Sequence, residues 1–273
     1  MTFFKCGVRC ATLTVLELMG SAAAYGQVNS INSDIVSARE FNDVPGAGLN
    51  IVNDYPSFIS FNEQGVSALS GFSNRDVWRF STDGGTSAYQ FQNDDFFSVS
   101  MQVRIPSSLN AAPEKAGFLF DATVGQGEFI VDTDAHEIVA FGGVLPFYSF
   151  YPQTTYNAGD TITLGLTYFL DGNGKRAIIY SADGAQSPIL EFTNTKQGIT
   201  DHSTLGGFFE IRNDSTNSDN SGSAVFENVS IASVPEPSSL VLATLGFIAL
   251  AGWAWRRRSR AAWSVRGIAA VNT

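Results

Sequence analysis

Apolar and polar residues alternate strictly along two stretches of the chain. In the first stretch, polar residues separate Phe97, Val99, Met101, Val103 and Ile105. In the second, they separate Ile162, Leu164, Leu166, Tyr168 and Leu170. Successive side chains of a β-strand point to opposite faces of a sheet, so this period of two predicts two half-buried strands.

Turn residues divide the remaining sequence into segments of strand length. Asp171-Gly-Asn-Gly174 and Asp183-Gly184 predict turns on either side of a strand at 177–181, the first of them closing a hairpin. Shorter segments with strand composition lie at 77–80, 88–91, 117–122, 128–131, 137–141, 189–192, 208–212 and 224–231. About ten strands without a sustained helical period predict an all-β fold, an antiparallel two-sheet β-sandwich.

The first 26 residues have the organisation of a secretory signal peptide. Lys5 and Arg9 precede an apolar segment, which ends in the small residues Ser21-Ala-Ala-Ala24. This order predicts export, with cleavage near residue 26. Both cysteines of the chain lie in this leader, so the exported body is predicted to contain no disulfide and no catalytic thiol.

The C-terminal part of the chain contains three consecutive elements. A four-residue box, an apolar segment at 240–255 and a basic cluster follow one another. The box is Val234, Pro235, Glu236 and Pro237, and the cluster is Arg256, Arg257, Arg258 and Arg260. The apolar segment would form a transmembrane helix of about 24 Å, slightly short of a ~30 Å hydrocarbon core. Arginines that stop transfer at its end would keep that end in the cytoplasm and the body outside.

In the order and spacing of these elements, residues 234–260 resemble the PEP-CTERM sorting signal of exopolysaccharide-producing bacteria. The resemblance implies that an exosortase, a membrane transpeptidase-like enzyme, recognises the box. It also implies anchoring in the inner membrane before processing, and then delivery to the cell surface or extracellular matrix. Residues 261–273 form a tail beyond the usual end of such signals. An ordinary tail anchor is the alternative interpretation.

The order of the predicted strands between 90 and 233 resembles the concanavalin-A-like, laminin-G-type jelly roll. The resemblance rests on the long strand at 97–105, the Gly-Phe-Leu-Phe-Asp strand at 117–121, the hairpin through 128–141 and the strand opened by Asn157-Ala-Gly-Asp160. It implies one domain over 27–233, whose last strand returns beside the first and runs directly into the box. Residues 27–90 would supply the opening strands.

The charge of this body limits its partners. Residues 27–255 contain 9 of the 16 basic residues and 25 of the 26 acidic ones, which gives a net charge of −16. A body of this charge repels anionic polymers, which excludes nucleic acid and favours neutral over acidic polysaccharides.

The densest acidic cluster is Asp132-Thr-Asp134-Ala-His136-Glu137. Glycosidases of the jelly-roll type carry a Glu-x-Asp-x-x-Glu strand, and that resemblance would make Asp132 the nucleophile and Glu137 the acid/base. The same residues also fit a hairpin turn between 129–131 and 138–141. A third interpretation is a calcium site, for which Asp171, Asn173 and the pair Asp94-Asp95 are further candidates. The sequence favours solvated turns over a calcium site, because none of these groups forms a complete ligand set and Asp and Asn are standard turn residues.

Four aromatic residues lie between two prolines in the segment 146–152. They are Phe147, Tyr148, Phe150 and Tyr151. Prolines disfavour a central strand, so the segment is predicted to be a loop. If the rings are exposed they form a platform for sugars, and if not they belong to the core.

The sequence has no Gly-x-Ser-x-Gly elbow, His-Glu-x-x-His helix or phosphate loop. We therefore expect a non-enzymatic surface or matrix protein, structural or glycan-binding, with no catalytic residue and no cofactor other than the calcium alternative. Its expected partners are an exosortase, the membrane and a polysaccharide. A glycoside hydrolase or lyase of the same fold is the rival. An ice-binding body would need longer threonine arrays than Thr161, Thr163 and Thr167.

Overall fold

A computed structural model describes residues 28–66, 72–106, 112–192, 202–213 and 220–234, together with positions 246, 247, 250, 251 and 253. The chain divides into two units, Met1–Val234 and Pro235–Thr273. The predicted signal peptide, Pro235 to Pro237 of the box and the arginine cluster lie outside the described residues.

The five described positions near the C-terminus are helical, but most of the predicted span at 240–255 is not described. Within the part of the chain that the structure describes, no helix combines the length and the apolarity that a membrane crossing requires. The transmembrane helix therefore stays a prediction.

The body consists of a 3₁₀ turn at Val28–Ser30 and fifteen strands in its described residues. The strands are β1 (Ser33–Asn42), β2 (Gly48–Asp54), β3 (Phe58–Val66), β4 (Ser73–Ser81), β5 (Phe97–Arg104), β6 (Glu114–Ala122), β7 (Gly125–Asp132), β8 (Glu137–Gly142), β9 (Tyr148–Ser149), β10 (Thr161–Leu170), β11 (Arg176–Ala182), β12 (Ala185–Gln186), β13 (Leu190–Glu191), β14 (Thr204–Arg212) and β15 (Asn220–Ser233).

These strands form two antiparallel sheets, which confirms the predicted sandwich. The seven-stranded sheet has the order β1-β4-β14-β6-β7-β8-β9, and the other sheet has the order β12-β11-β10-β5-β15-β3-β2, with β13 also paired to β11. The last strand, β15, lies between β3 and β5, whereas the first strand, β1, pairs with β4 in the other sheet. The expectation that the last strand returns beside the first is therefore wrong.

The two stretches of strict alternation are the neighbouring strands β5 and β10. They pair from Thr161↔Arg104 to Tyr168↔Phe97, and the 171–174 turn leads from β10 into β11 as predicted. The predicted strand at 88–91 is wrong, because only Phe91 forms a bridge, to Ser203. The carboxylate of Asp95 accepts hydrogen bonds from the Tyr89 hydroxyl and the Gln92 amide, which bends the chain there.

The inner faces of the two sheets enclose one apolar core. Aromatic rings join the sheets across this core: Phe129 on β7 lies 5.0 Å from Tyr180 on β11, and Trp78 on β4 lies 6.1 Å from Phe226 on β15. All four rings are fully buried. Tilted and edge-on contacts of this kind add to the free energy that burial of the rings contributes.

Two acidic side chains are buried among these apolar residues without full compensation. Glu114 on β6 accepts the Ser223 amide of β15 at 2.9 Å with Oε1, while Oε2 has no hydrogen-bond partner. Burial raises the pKa of Glu114 to about 8. Asp76 on β4 accepts the Arg39 amide at 2.8 Å, and burial raises its pKa to about 7. Both carboxyl groups therefore favour their protonated form inside the fold.

We predict that the body loses stability as the pH rises from about 4.5 to about 8. In this window the unfolded chain has released the Glu114 proton and the folded protein still holds it, so unfolding releases protons and becomes easier with rising pH. Glu114→Gln should flatten this dependence in urea unfolding measured between pH 5 and pH 8.5. A wild-type unfolding midpoint that rises over this range, or an unchanged slope in the variant, would contradict the prediction.

Candidate ligand-binding groove

The centre of the outer face of the seven-stranded sheet is buried although no third layer covers it among the described residues. A row of apolar side chains crosses five strands on this face in direct register: Val77, Phe208, Ile130 and Val139, with Gly117 between Phe208 and Ile130. Each of the four side chains is almost inaccessible to solvent. A Cβ atom at Gly117 would lie 2.2 Å from the Phe129 carbonyl oxygen, so only glycine fits at this point of the row.

A second row, next to the apolar one, consists of charged residues. Arg75, Glu210, Lys115, Asp132 and Glu137 stand directly opposite one another on β4, β14, β6, β7 and β8. The signs alternate along the first four positions, and opposite charges on neighbouring strands stabilise the sheet.

Arg75 connects the charged row with the apolar one. Its Nη2 lies 2.6 Å from Glu210 Oε2 and 3.0 Å from Glu128 Oε1, and its Nη1 donates to Gln126 Oε1 at 3.3 Å. The guanidinium carbon lies 4.9 Å from the centre of the Phe208 ring. Arg75 therefore shields Phe208 from water while two carboxylates neutralise its charge.

These contacts indicate that the outer face is concave. β4 and β7 are three strand spacings apart, which is about 14 Å. Glu128 is also displaced along the strand direction, by about 13 Å, from the row of residues that contains Arg75. A flat sheet would hold Arg75 and Glu128 further apart than the two side chains can span. Their 3.0 Å contact shows that twist and bending of the sheet make the outer face concave along this diagonal.

Two depressions lie on this concave face. The Arg75 groove, of about 370 Å³, is lined by Glu40, Phe41, Phe72, Ser73, Arg75, Gln126 and Glu210. The Lys115 groove, of about 340 Å³, is lined by Lys115, Ile130, Asp132, Glu137, Val139, Phe141 and Phe147. Each groove has an exposed aromatic ring at its edge, since Phe72 is 61% and Phe147 is 68% exposed.

The four aromatic residues predicted as a platform do not share one surface. Phe147 borders the Lys115 groove, and Tyr151 is exposed. Phe150 is only 2% exposed and stacks on Phe129, and the half-buried Tyr148 packs edge-on against Phe150. Tyr148 belongs to strand β9, so the segment 146–152, which was predicted to be a loop, is not entirely a loop. Phe147 and Tyr151 are the members that a ligand can reach most easily.

The acidic cluster at 132–137 is a hairpin turn between β7 and β8, as one of the sequence interpretations predicted. Asp132 and Glu137 form the last cross-strand pair, and Asp132 Oδ1 accepts the amides of Asp134 and Ala135. The two acids therefore lie on different strands, unlike the single Glu-x-Asp-x-x-Glu strand of the jelly-roll glycosidases. Asp134 pairs with Arg212 at 3.4 Å.

The other candidate calcium ligands have structural partners. Asp171 Oδ1 accepts the amides of Asn173 and Lys175, each at 2.8 Å, and Asp94 pairs with Arg176. Across the described segments, no group of three or more His, Cys, Asp or Glu residues is placed to hold a metal ion. Calcium binding thus stays a prediction without a site.

Sequence reasoning missed Phe41, Phe72, Arg75, Gln126 and Glu210. They come from β1, β4, β7, β14 and the segment before β4, which are far apart in the sequence and meet only in the folded sheet. The one available signal was the alternation of Arg75, Val77 and Arg79, of which only Val77 and Arg79 lie in the strand predicted at 77–80. That spacing places the three side chains on one face but does not identify the face.

Comparison with known proteins identifies the C-terminal signal. A profile of the PEP-CTERM protein-sorting motif matches residues 233–258, so the chain carries this motif and the prediction from the tail is confirmed. No curated protein sequence matches the chain.

Several solved structures are similar in fold. They include an alginate lyase of polysaccharide lyase family 7 (12% identity, 67% of this chain and 82% of the other, TM-score 0.43). A second is carbohydrate-binding module CBM66 from Bacillus subtilis (10% identity, 67% of this chain and 91% of the other, TM-score 0.38). A third is a GH16 protein of a Bacteroides ovatus mixed-linkage glucan PUL (7% identity, 74% of this chain and 95% of the other, TM-score 0.45). At these TM-scores the similarity carries no argument about ligand or activity.

We predict that Arg75→Met destabilises the body by about 3 kcal/mol, because it leaves two largely buried carboxylates without their cation. The control is Lys175→Met, which breaks the exposed ion pair with Glu191 and should destabilise the body far less than Arg75→Met. Urea unfolding of both variants at pH 7 measures the difference. Equal losses would show that Arg75 does not hold the outer face together.

Proposed function

We propose that this protein is exported, sorted to the cell surface by an exosortase, and binds a neutral polysaccharide on the concave face of its seven-stranded sheet without cleaving it. One observation carries the binding part of the proposal. Exposed aromatic rings border grooves that are also lined by planar hydrogen-bonding groups. Ligand sites commonly combine apolar walls with a few fixed polar groups in this way.

The sorting motif supports the cellular part of the proposal. Because the chain carries the motif at 233–258, export and sorting to the surface follow from the motif itself. The finer proposal is that the 240–255 segment anchors the chain in the inner membrane until an exosortase removes the residues after about Pro237. The polysaccharide of the matrix would then be the partner that the body meets.

The Arg75 groove offers the contacts that a sugar ring needs. Phe72 and the 44% exposed Phe41 present apolar faces on which the C–H face of a pyranose can stack. Gln126, Glu210 and Arg75 lie beside these rings and already hold one another in place through hydrogen bonds. Their remaining donors and acceptors can bind sugar hydroxyl groups with little loss of side-chain entropy.

The charges of the concave face favour a neutral sugar. The four basic residues Arg75, Arg79, Lys115 and Arg212 share the face with six acidic ones: Glu40, Asp121, Glu128, Asp132, Glu137 and Glu210. Arg75 and Arg79 are committed to ion pairs with these acids. A uronic acid polymer would therefore face net negative charge.

Glycoside hydrolysis is the second candidate, because Glu128 and Glu210 approach each other. Both carboxylates bind the same nitrogen of Arg75. Burial raises the pKa of Glu128 above its ordinary value, although Arg75 and Lys115 oppose this effect. Retaining glycosidases need two carboxyl groups about 5 Å apart, one of them protonated. The guanidinium of Arg75, however, lies between the two groups, where the anomeric carbon would have to sit. This placement favours binding over cleavage.

We predict that Phe72→Ala and Phe147→Ala each weaken binding to a neutral polysaccharide by about tenfold, since a stacked ring contributes about 1 kcal/mol or more. Ile189→Ala, which removes an exposed apolar side chain outside both grooves, is the control and should bind normally. Affinity electrophoresis in gels that contain the polysaccharide measures the effect. Normal retention of both phenylalanine variants, with unchanged circular dichroism, would remove the concave face from consideration.

Incubation of the protein with the same polysaccharide in solution separates the two candidate functions, binding and hydrolysis. We expect no release of reducing ends from the polysaccharide by the wild-type protein. Release that disappears in both Glu128→Gln and Glu210→Gln would instead establish the hydrolase.

We predict that the surface form ends near Pro237 in a host that has the matching exosortase. Intact-mass measurement of surface-extracted protein reads the C-terminus directly. Glu236→Ala removes the charge of the box and should leave a longer, membrane-retained form. Wild-type surface protein that extends to Thr273 would show that the tail serves only as an anchor.

A further inference from the structure

The end of the last strand is fastened to the body at two neighbouring residues. Asn29, in the 3₁₀ turn, donates from Nδ2 to Ser233 Oγ at 2.9 Å and accepts the Ser233 amide with Oδ1 at 3.1 Å. The Val234 amide donates to the Phe96 carbonyl oxygen at 2.9 Å, and the Val234 side chain packs against the core. We call these contacts of Asn29 and Phe96 the latch.

The latch acts on the sorting motif itself. The motif begins at Ser233, so its first two residues are part of the folded body, and Pro235 follows with no linker between. Asn29 is positioned by Val28, which is buried in the core. The N-terminal turn of the body therefore holds the residues immediately before the Pro-Glu-Pro sequence.

A folded strand end and a processing enzyme compete for the same backbone groups. An enzyme that binds an extended peptide does so largely through main-chain hydrogen bonds and side-chain pockets. The amides of Ser233 and Val234 are already bound by Asn29 and Phe96, and the Val234 side chain is in contact with the core. Strand ends open locally far more often than whole domains unfold.

We propose that the latch limits access of the processing enzyme to the sorting box, and that the end of β15 must open before the chain is cut. This inference rests on the sorting half of the proposed function. It makes Asn29 a positioning residue for a reaction in which the protein is the substrate.

The test follows processing of the full chain in a host with the matching exosortase, by pulse labelling and intact mass. Asn29→Ala removes both side-chain bonds to Ser233 and should raise the rate of processing several-fold. Asn53→Ala is the control. It removes the two hydrogen bonds from Asn53 on β2 to the Asp34 carboxylate on β1, together with the bond that Asn53 accepts from the Tyr55 amide, and the variant should be processed at the wild-type rate. Unfolding midpoints of the two variants exclude a gain that comes from global unfolding.

A second variant gives the enzyme free chain without touching the latch. Insertion of Gly-Ser-Gly-Ser between Val234 and Pro235 should raise the rate as well, and addition of Asn29→Ala to this insertion should raise it no further. If the Asn29→Ala variant and the insertion variant are both processed at the wild-type rate, the proposed role of the latch is overturned and the sorting proposal stands. A wild-type chain that is never processed would overturn the sorting proposal and the latch with it.

Discussion

The contact of Arg75 with Phe208, Glu128 and Glu210 holds together the face on which the proposed function depends. The seven-stranded sheet has apolar side chains on both faces, and only the inner face meets the other sheet. On the outer face a guanidinium covers the central aromatic ring, and two carboxylates from β7 and β14 fix the guanidinium. Without these ion pairs Phe208 and its apolar neighbours would be exposed, and the sheet would lose the contacts that accompany its concave bend.

The concave face also explains why the grooves combine apolar and charged residues. The side chain of Arg75 lies over Phe208 in the apolar row, and aromatic rings remain exposed at the edges of the grooves. The outer face of the eight-stranded sheet differs, since small hydroxyl groups pair there, as in Ser98 with Thr167 and Ser100 with Ser230. This part of the face thus presents short hydroxyl side chains, whereas the seven-stranded sheet presents rings and planar polar groups suited to a sugar.

The long strands could be predicted because alternation determines both strand and face. β5 and β10 bury every second residue as the sequence indicates, and the turn at 171–174 follows from its glycine and asparagine content. The groove could not be predicted, since β4 and β14 are buried on both faces and show no alternation. The platform was predicted only in part, because the exposure of Phe147 and the burial of Phe150 depend on the position of β9 against β8. The sorting motif was predictable because it is linear, and its attachment through Asn29 was not, because 204 positions separate Asn29 from Ser233.

Hydrogen–deuterium exchange of the body with and without a neutral polysaccharide tests the central claim most directly. If the concave face binds the polymer, amides of β4, β14, β6 and β7 and of the segments that carry Phe72 and Phe147 become more protected. The hydroxyl-rich strands β5 and β10 should exchange at unchanged rates. Protection confined to β5, β10 and β15, or no change at a polymer concentration that retains the protein in gels, would contradict the account.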